Sequence, residues 1–418
     1  MDKLVIAGGA RLTGEVEVSG AKNAALPILA ASLLCNEKVN LKNLPQLCDI
    51  TTMFKVLDIL GVKSCETEEE ISIHPEGIDN FEAPYDLVKQ MRASILVLGP
   101  LLGRFGKARV SLPGGCAIGS RPIDLHLKGL ERLGTEIRIE GGYIEAKATR
   151  LKGNEIYLDF PSVGATLNLI MAATLAEGET IIEEAAKEPE VVDLISFLNT
   201  MGAKIEGAGG DRLQITGVKE LRGGTYKIIP DRIEAGTFMV AATITQGEIL
   251  VKGANIEHLG AVVTKLEELG ASIEKEADGI CVASREIRHP IEIKTMPHPG
   301  FPTDMQAQFM ALATITPGTS IITETIFENR FMHVSELNRM GADIIVEGNS
   351  AIIKGASRLF GASVMATDLR ASAALVLAGL IAEGTTEVLR VYHLDRGYER
   401  IEEKLSRLGA NIWRKKDE

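Results

Sequence analysis

The chain is poor in aromatic residues, which make up 4% of its 418 positions and include a single tryptophan. That scarcity argues against a binding surface built on base-stacking rings. Positive charge is also short: 45 Lys and Arg stand against 57 Asp and Glu, a formal net charge of −12. No general basic field therefore draws nucleic acid or anionic membrane, and an anionic ligand needs a local cluster of Arg and Lys. Cysteine is sparse and odd in number. Cys35, Cys48, Cys65, Cys116 and Cys281 contain no CxxC pair and have no histidine at zinc-finger spacing. A disulfide scaffold and a structural zinc site are thereby disfavoured, and a reducing compartment is implied. The opening MDKLVIAGGARLTGEVEVSG has no signal-peptide apolar core, and apolar stretches such as 371–382 are too short to span a bilayer. These features predict a soluble, cytoplasmic protein. Neither GxxxxGK[ST] nor a strand-following GxGxxG occurs, and no carboxylate cluster suggests a catalytic metal. No cofactor and no metal are expected.

What is present is a repeat. At this length one hydrophobic core is too small, so two domains are the starting expectation. A segment of the form L-x-x-L-G-A followed by alternating residues recurs as VLDILGVKSCE, GLERLGTEIRIE, FLNTMGAKIEG, KLEELGASIEK, ELNRMGADIIV and KLSRLGANIWR. Its glycines, Gly61, Gly134, Gly202, Gly270, Gly341 and Gly409, are separated by 73, 68, 68, 71 and 68 residues. A second series runs in phase, where an apolar run stops at Asn36, Gly106, Gly178, Gly247, Gly318 or Gly384 and a β-rich stretch begins. Gly or Asn there suits a left-handed helix stop.

The repeating unit reads as an apolar helix, a strand, an amphipathic helix and two alternating strands, with a further strand before the next helix. Such a unit cannot bury both helices alone. The fold class is α/β: three βαβαββ-like units pack their helices inward with sheets outward, twice over, giving two inside-out barrels. The predicted domains are 21–229, and 1–20 with 230–418, with the crossing near YKIIPDR. The first twenty residues, containing a hairpin-like TGEVEV, are expected to lend a strand to the last repeat, which lacks one after Trp413.

Function is sought where one copy breaks the pattern. The second repeat does so at SLPGGCAIGSRPIDLHL, where Gly114 and Gly115 allow close approach to a ligand and Cys116 follows in a polar setting beside Arg121. A thiol near a guanidinium is placed for a lowered pKa, hence for proton transfer or nucleophilic work. Cys35, Cys65 and Cys281 read instead as small buried hydrophobes. Lys22 and Asn23 stand at the start of the first helix, where Asn23 could simply cap and Lys22 is electrostatically out of place. In the fifth repeat, FPTDMQAQ puts Thr303 at an N-cap and Asp304 in the first turn, where the bland reading is dipole complementation. His298 reads as a loop histidine. Arg370 and Arg396 mark the helix starts of the sixth repeat, and Arg92 in QMRAS matches Arg370 in DLRAS. Lys22, Arg121, Arg370 and Arg396 at helix starts, against the dipole preference, converge on a small polyanion.

At this point the motifs PGGCAIGSRPIDLHL, SGAKNAALPILAA, FPTDMQAQ, DLRASAAL and DRGYERIEEKL resemble those of the UDP-N-acetylglucosamine 1-carboxyvinyltransferase family, from residue 3 to about residue 415. This family of enolpyruvyl transferases opens bacterial peptidoglycan precursor synthesis. The resemblance implies two inside-out domains of three repeats, with phosphoenolpyruvate and UDP-N-acetylglucosamine as substrates. It implies Cys116 as general acid and fosfomycin target, and Asp304 as base. Lys22, Arg92, Arg121, Arg370 and Arg396 would hold phosphate and carboxylate, and Asn23 would touch the reacting sugar. Arg121, Pro122, Ile123, Asp124, Leu125, Ser162 and Val163 would line the nucleotide pocket, with Ile326 near the sugar. Phe160 is a departure, since some members carry Lys there. The related enzyme acting on shikimate phosphate does not use the PGGC thiol, and a silent binding paralogue fits poorly with intact Lys22, Cys116, Asp304 and Arg396.

Overall fold

A computed structural model of the chain describes residues 2–67, 70–113 and 123–416. Cys116, Arg121 and Pro122 lie outside the described residues. Those described divide into two compact units, one of residues 2–19 and 230–416, the other of residues 20–67, 70–113 and 123–229.

Each unit carries three four-stranded sheets of one design. In the first, Val39–Lys42 lies at the centre, parallel to Gly224–Lys227 on one side and antiparallel to Glu70–His74 on the other, with Lys63–Glu66 at the far edge. Side chains alternate across such strands. In Glu179–Glu183, Thr180 and Ile182 point into the core while Glu179 faces out. One face of each sheet is therefore apolar and needs a cover.

The helices supply it. Lys22–Ala31, Leu98–Phe105 and Val163–Ala173 form the interior of one unit; Arg232–Ile244, Gln306–Ala313 and Leu369–Ile381 form that of the other. Leu369–Ile381 is buried from Arg370 to Leu380, as a sequence without a polar face requires. The backbones come close: a Cβ on Gly99 would stand 2.3 Å from the Asn168 carbonyl oxygen. No helix among the described residues is long and apolar enough to cross a membrane.

All six glycines of the L-G-A series adopt positive φ, between +91° and +102°. They end the amphipathic helix and turn the chain into the hairpin, which explains the period. The second series is less uniform. Gly106, Gly178, Gly318 and Gly384 are left-handed, but at the fourth repeat Gln246 takes φ +52° and Gly247 does not, and Asn36 is not left-handed either. At Gly247 the constraint is space, since a Cβ there would meet the Leu12 carbonyl oxygen at 2.1 Å.

The expected hairpin near the start is absent. Asp2–Ala7 sits between Thr385–Leu389 and Asn411–Lys416, antiparallel to both, with Asp2 opposite Lys416. It thus supplies the strand missing after Trp413. With both its edges taken, Thr13–Glu17 cannot pair with it and instead runs parallel to Glu248–Lys252. The two chain crossings accordingly exchange edge strands. Thr13–Glu17 precedes the first helix but serves the fourth sheet, and Gly224–Lys227 precedes Arg232–Ile244 but serves the first.

Cys65 departs from its expectation. It lies on an edge strand whose residues all face solvent, whereas Cys35 is buried as anticipated and Cys281 is half-buried.

Candidate functional site

In the unit holding residues 20–229, the Lys22 ammonium is buried and lies 3.2 Å from Asp49 Oδ2. Lys22 is the first residue of its helix, and no side chain caps that end, so Asn23 is not a cap. The pairing with Asp49 answers the electrostatic puzzle of a cation at a helix start, because the carboxylate supplies the compensating charge.

A second group gathers on His126. Its Nδ1 is 3.0 Å from Asn168 Nδ2, and its Nε2 faces Gly164, where a Cβ would stand 3.1 Å away. Burial drives His126 down to about 4, assisted by Arg92, while Asp124 opposes. Three expected residues stand at element starts in this unit: Arg92 begins the 3-10 helix Arg92–Val97, Asp124 begins Asp124–Arg132, and Ser162 caps Val163–Ala173 by accepting from Ala165 N–H. Ile123 is half-buried and Leu125 buried, while Asp124 is exposed and reaches Lys128. Phe160 is exposed just before this cap.

The unit holding residues 230–416 contains the more concentrated chemistry. Asp304 Oδ1 accepts from Arg330 Nη2 at 2.7 Å, and Oδ2 accepts from Arg370 Nη2 at 2.9 Å. Both guanidinium groups are buried, with side chains 5% and 4% exposed, so neither is screened by solvent. Burial would raise the Asp304 carboxyl, but Arg370 and Arg330 outweigh it and hold the group well below the usual carboxylate range. Asp304 is an ion here and can only accept. Arg370 Nη1 and Arg330 Nε are buried donors with no acceptor among the described residues. Oxygens of an anion would satisfy them.

Arg370 lies in the first turn of a helix capped by Asp368, which accepts from the Arg370 and Ala371 N–H groups. Behind the arginine, Tyr398 Oη meets Thr237 Oγ1 at 2.9 Å and Gln308 Nε2 at 3.1 Å. His333 is buried beside Arg330 and Asp368 and is driven to about 4 by burial.

Two sequence expectations need correcting in this unit. Thr303 is not an N-cap, since the 3-10 turn Thr303–Met305 has no side-chain cap and Thr303 donates to Glu324 instead. Nor does Arg396 start a helix. It ends the 3-10 turn Val391–Arg396, and the next helix begins only at Ile401. Gly397 follows the turn, packed where a Cβ would stand 2.7 Å from the Leu369 side chain. Arg396 lies near His393, whose pKa is lowered by burial first and by Arg396 second. Ile326 is exposed at a turn whose backbone is held by Glu324.

Arg330, Glu324, Asp49, His126 and Asn168 were not singled out in the sequence. Arg330 sits in FENRF, at no helix start, and the Lys22 to Asp49 pairing spans 27 positions across separate elements. Only for Asn168 was there a signal, an amide inside an otherwise apolar helix.

Comparison with known proteins follows the same line. Residues 6–405 match the family of EPSP synthase (3-phosphoshikimate 1-carboxyvinyltransferase). The chain is 60% identical to UDP-N-acetylglucosamine 1-carboxyvinyltransferase 2 of Carboxydothermus hydrogenoformans, covering 100% of both chains. It is 58% identical to the UDP-N-acetylglucosamine 1-carboxyvinyltransferase of Klebsiella pneumoniae, again over 100% of both. Among solved structures, the enolpyruvyl transferase NikO of Streptomyces tendae superposes with a TM-score of 0.89 at 27% identity, covering 99% of this chain and 98% of that one. EPSP synthase of Acinetobacter baumannii shares the fold, with a TM-score of 0.76 at 19% identity over 100% of both chains.

Proposed function

The chain belongs to the EPSP synthase family of enolpyruvyl transferases, and from that premise we propose how its residues carry out the transfer. The enzyme moves the enolpyruvyl group of phosphoenolpyruvate to the 3'-hydroxyl of UDP-N-acetylglucosamine and releases phosphate, the first committed step of peptidoglycan precursor synthesis. The full-length identity to relatives named for that activity supports this acceptor over shikimate phosphate.

The reaction has two parts. In the addition, the sugar oxygen bonds to C2 of phosphoenolpyruvate while a proton reaches its methylene carbon. In the elimination, the C2–O bond to phosphate breaks and a proton leaves the new methyl group. The addition needs a proton donor at carbon and a base at the sugar hydroxyl, the elimination needs a base at the methyl carbon, and both need cations for the anionic groups. Cys116 donates the proton to carbon. Asp304 receives the proton of the sugar hydroxyl or of the methyl group. Lys22, Arg92, Arg121, Arg370 and Arg396 hold phosphate and carboxylate, joined by Arg330. Asn23 and Ile326 meet the sugar, and Pro122, Ile123, Asp124, Leu125, Ser162 and Val163 line the nucleotide pocket, with no cation from Phe160. No resident cofactor enters this scheme, and a cytoplasmic setting suits its soluble anionic substrates.

The observation that carries the reading is the Asp304 carboxylate gripped by two buried guanidinium groups, of which Arg370 Nη1 and Arg330 Nε have no acceptor among the described residues. An anion arriving at those donors competes for the arginines, which loosens their hold on Asp304 and raises its basicity when substrate is in place. Phosphate release from phosphoenolpyruvate with UDP-N-acetylglucosamine tests the reading, in the wild type, in Cys116→Ser and after fosfomycin. Wild-type turnover with loss in both treatments is expected. Turnover that survives both removes Cys116 from its role, and turnover only with shikimate phosphate replaces the acceptor.

A further inference from the structure

Glu324 is 3% exposed, and both oxygens of its carboxylate accept hydrogen bonds. Oε1 accepts from the Thr295 hydroxyl at 2.8 Å and from the Ile326 and Phe327 N–H groups at 2.8 and 3.2 Å. Oε2 accepts from the Thr303 hydroxyl at 2.8 Å. Because that hydroxyl spends its proton on Glu324, its oxygen is left to accept, and it does so from Arg330 Nη1 at 2.8 Å. Arg330 Nη2 in turn holds Asp304. One carboxylate thus reaches in two directions.

We propose that Glu324 is a positioning residue for the transfer reaction, fixing the Asp304 base through Thr303 and Arg330 with one oxygen and the Ile326 turn with the other. The proposal rests on the reading of Asp304 as base and Ile326 as a neighbour of the sugar. Its physical logic lies in the change of charge at Asp304. When that group takes a proton, its attraction for Arg330 falls, and an arginine held by nothing else would move away. The Thr303 hydroxyl, oriented by Glu324, keeps the guanidinium in register through both charge states. Preorganised donors that need not rearrange are worth most where water is excluded.

The groups facing Asp304 bear on any pH effect. Among the described residues they are Arg330 and Arg370, with Glu324 beyond Thr303, His333 and Asp368 beyond Arg330, and Tyr398 and Asp231 beyond Arg370. Variants that leave all these charges unchanged give the cleanest test.

Thr303→Val cuts only the base arm and Thr295→Val only the turn arm, each checked by thermal unfolding and assayed in full-length enzyme whose wild type is active. Thr303→Val is expected to lower kcat roughly tenfold or more, with its acid limb moved to higher pH and KM for UDP-N-acetylglucosamine little changed. Thr295→Val is expected to raise that KM severalfold with the acid limb unmoved. Thr303→Ser and Thr295→Ser, which keep the hydroxyls, should restore each property, and Glu324→Gln should show both the kcat and the KM defects. Equal effects of the two Val variants on both parameters, or a folded Glu324→Gln with wild-type kinetics, overturn the proposal. An inactive wild type would instead overturn the assigned activity, which separates the two failures.

Discussion

Asn168 joins three elements to one histidine. Its amide nitrogen lies 3.0 Å from His126 Nδ1 and 3.1 Å from the Ile95 carbonyl oxygen, while its own oxygen accepts from Gly99 N–H at 2.7 Å. A donor at Nδ1 leaves the ring proton on Nε2, toward Gly164. Asn168→Leu keeps the volume and strips the partners from Gly99 and Ile95 in a buried setting. A loss of about 3 kcal/mol in urea unfolding is expected, and a change under about 0.5 kcal/mol would show that the amide contributes nothing net.

His126 and Asp193 act on stability with opposite sign across the same acid range. His126 is lowered to about 4 by burial, so the unfolded chain binds the extra proton between about pH 6.5 and 4, and folding weakens on acidification. Asp193 is raised to about 6, again by burial first, with Tyr226 and Ile229 N–H opposing. There the native state binds the extra proton, so folding weakens as pH rises from about 4 to 6. Each contribution is roughly 3 kcal/mol across its window. Unfolding at pH 4, 5, 6 and 7 should therefore show a shallower acid loss in His126→Gln and a steeper one in Asp193→Asn. Parallel profiles in all three proteins would contradict both assignments.

Asp304→Asn leaves two buried guanidinium groups with one neutral acceptor between them. The Asp304 side chain is 26% exposed, so the loss is expected to be about 2 kcal/mol at pH 7 rather than that of a sealed pair. The wild-type carboxyl is depressed, so its contribution is present above its unfolded pKa and vanishes as pH falls through the folded one. The difference between wild type and variant should shrink below about pH 4. A gap that is constant with pH would point to packing rather than charge.

Asp2 opposite Lys416 makes the last strand and the first strand the two arms of one hairpin. A permuted chain joined there by a short glycine-containing turn and opened between Gly141 and Gly142, themselves a hairpin turn with positive φ, keeps every sheet register. It is expected to fold with near-wild-type melting temperature and phosphate release. Deletion of residues 2–7 should instead prevent folding, because the buried Leu4 and Ile6 would leave the core. A stable, active deletion variant would refute the structural role given to that strand.

The repeat was legible because its punctuation is chemical. Six glycines at one period mark six left-handed helix stops, and no other residue takes that backbone without cost. The strand lent to the sixth repeat was legible too, as a missing partner after Trp413. The hairpin misreading of TGEVEV arose because alternation shows that a segment is a strand but not which edge is open to it. Cys65 was misread for a related reason: its strand stands at a sheet edge, a property of sheet order and not of local composition.

The sequence by itself determined the sixfold period, the order of helix and strand within the repeat and the positions Lys22, Arg92, Asp304, Arg370 and Arg396 as candidates, because local spacing and residue type carry that information. Tertiary structure alone decided who meets whom. Arg330 reaches Asp304 across 26 positions, Arg370 reaches it across 66, and Asn168 lies 42 from His126. Those pairings depend on how inner helices seat against one another and how turns such as the one at Glu324 are held. The charge state of Asp304 follows from the pairings, since a carboxylate at a helix start is ordinary until two buried guanidinium groups are folded against it.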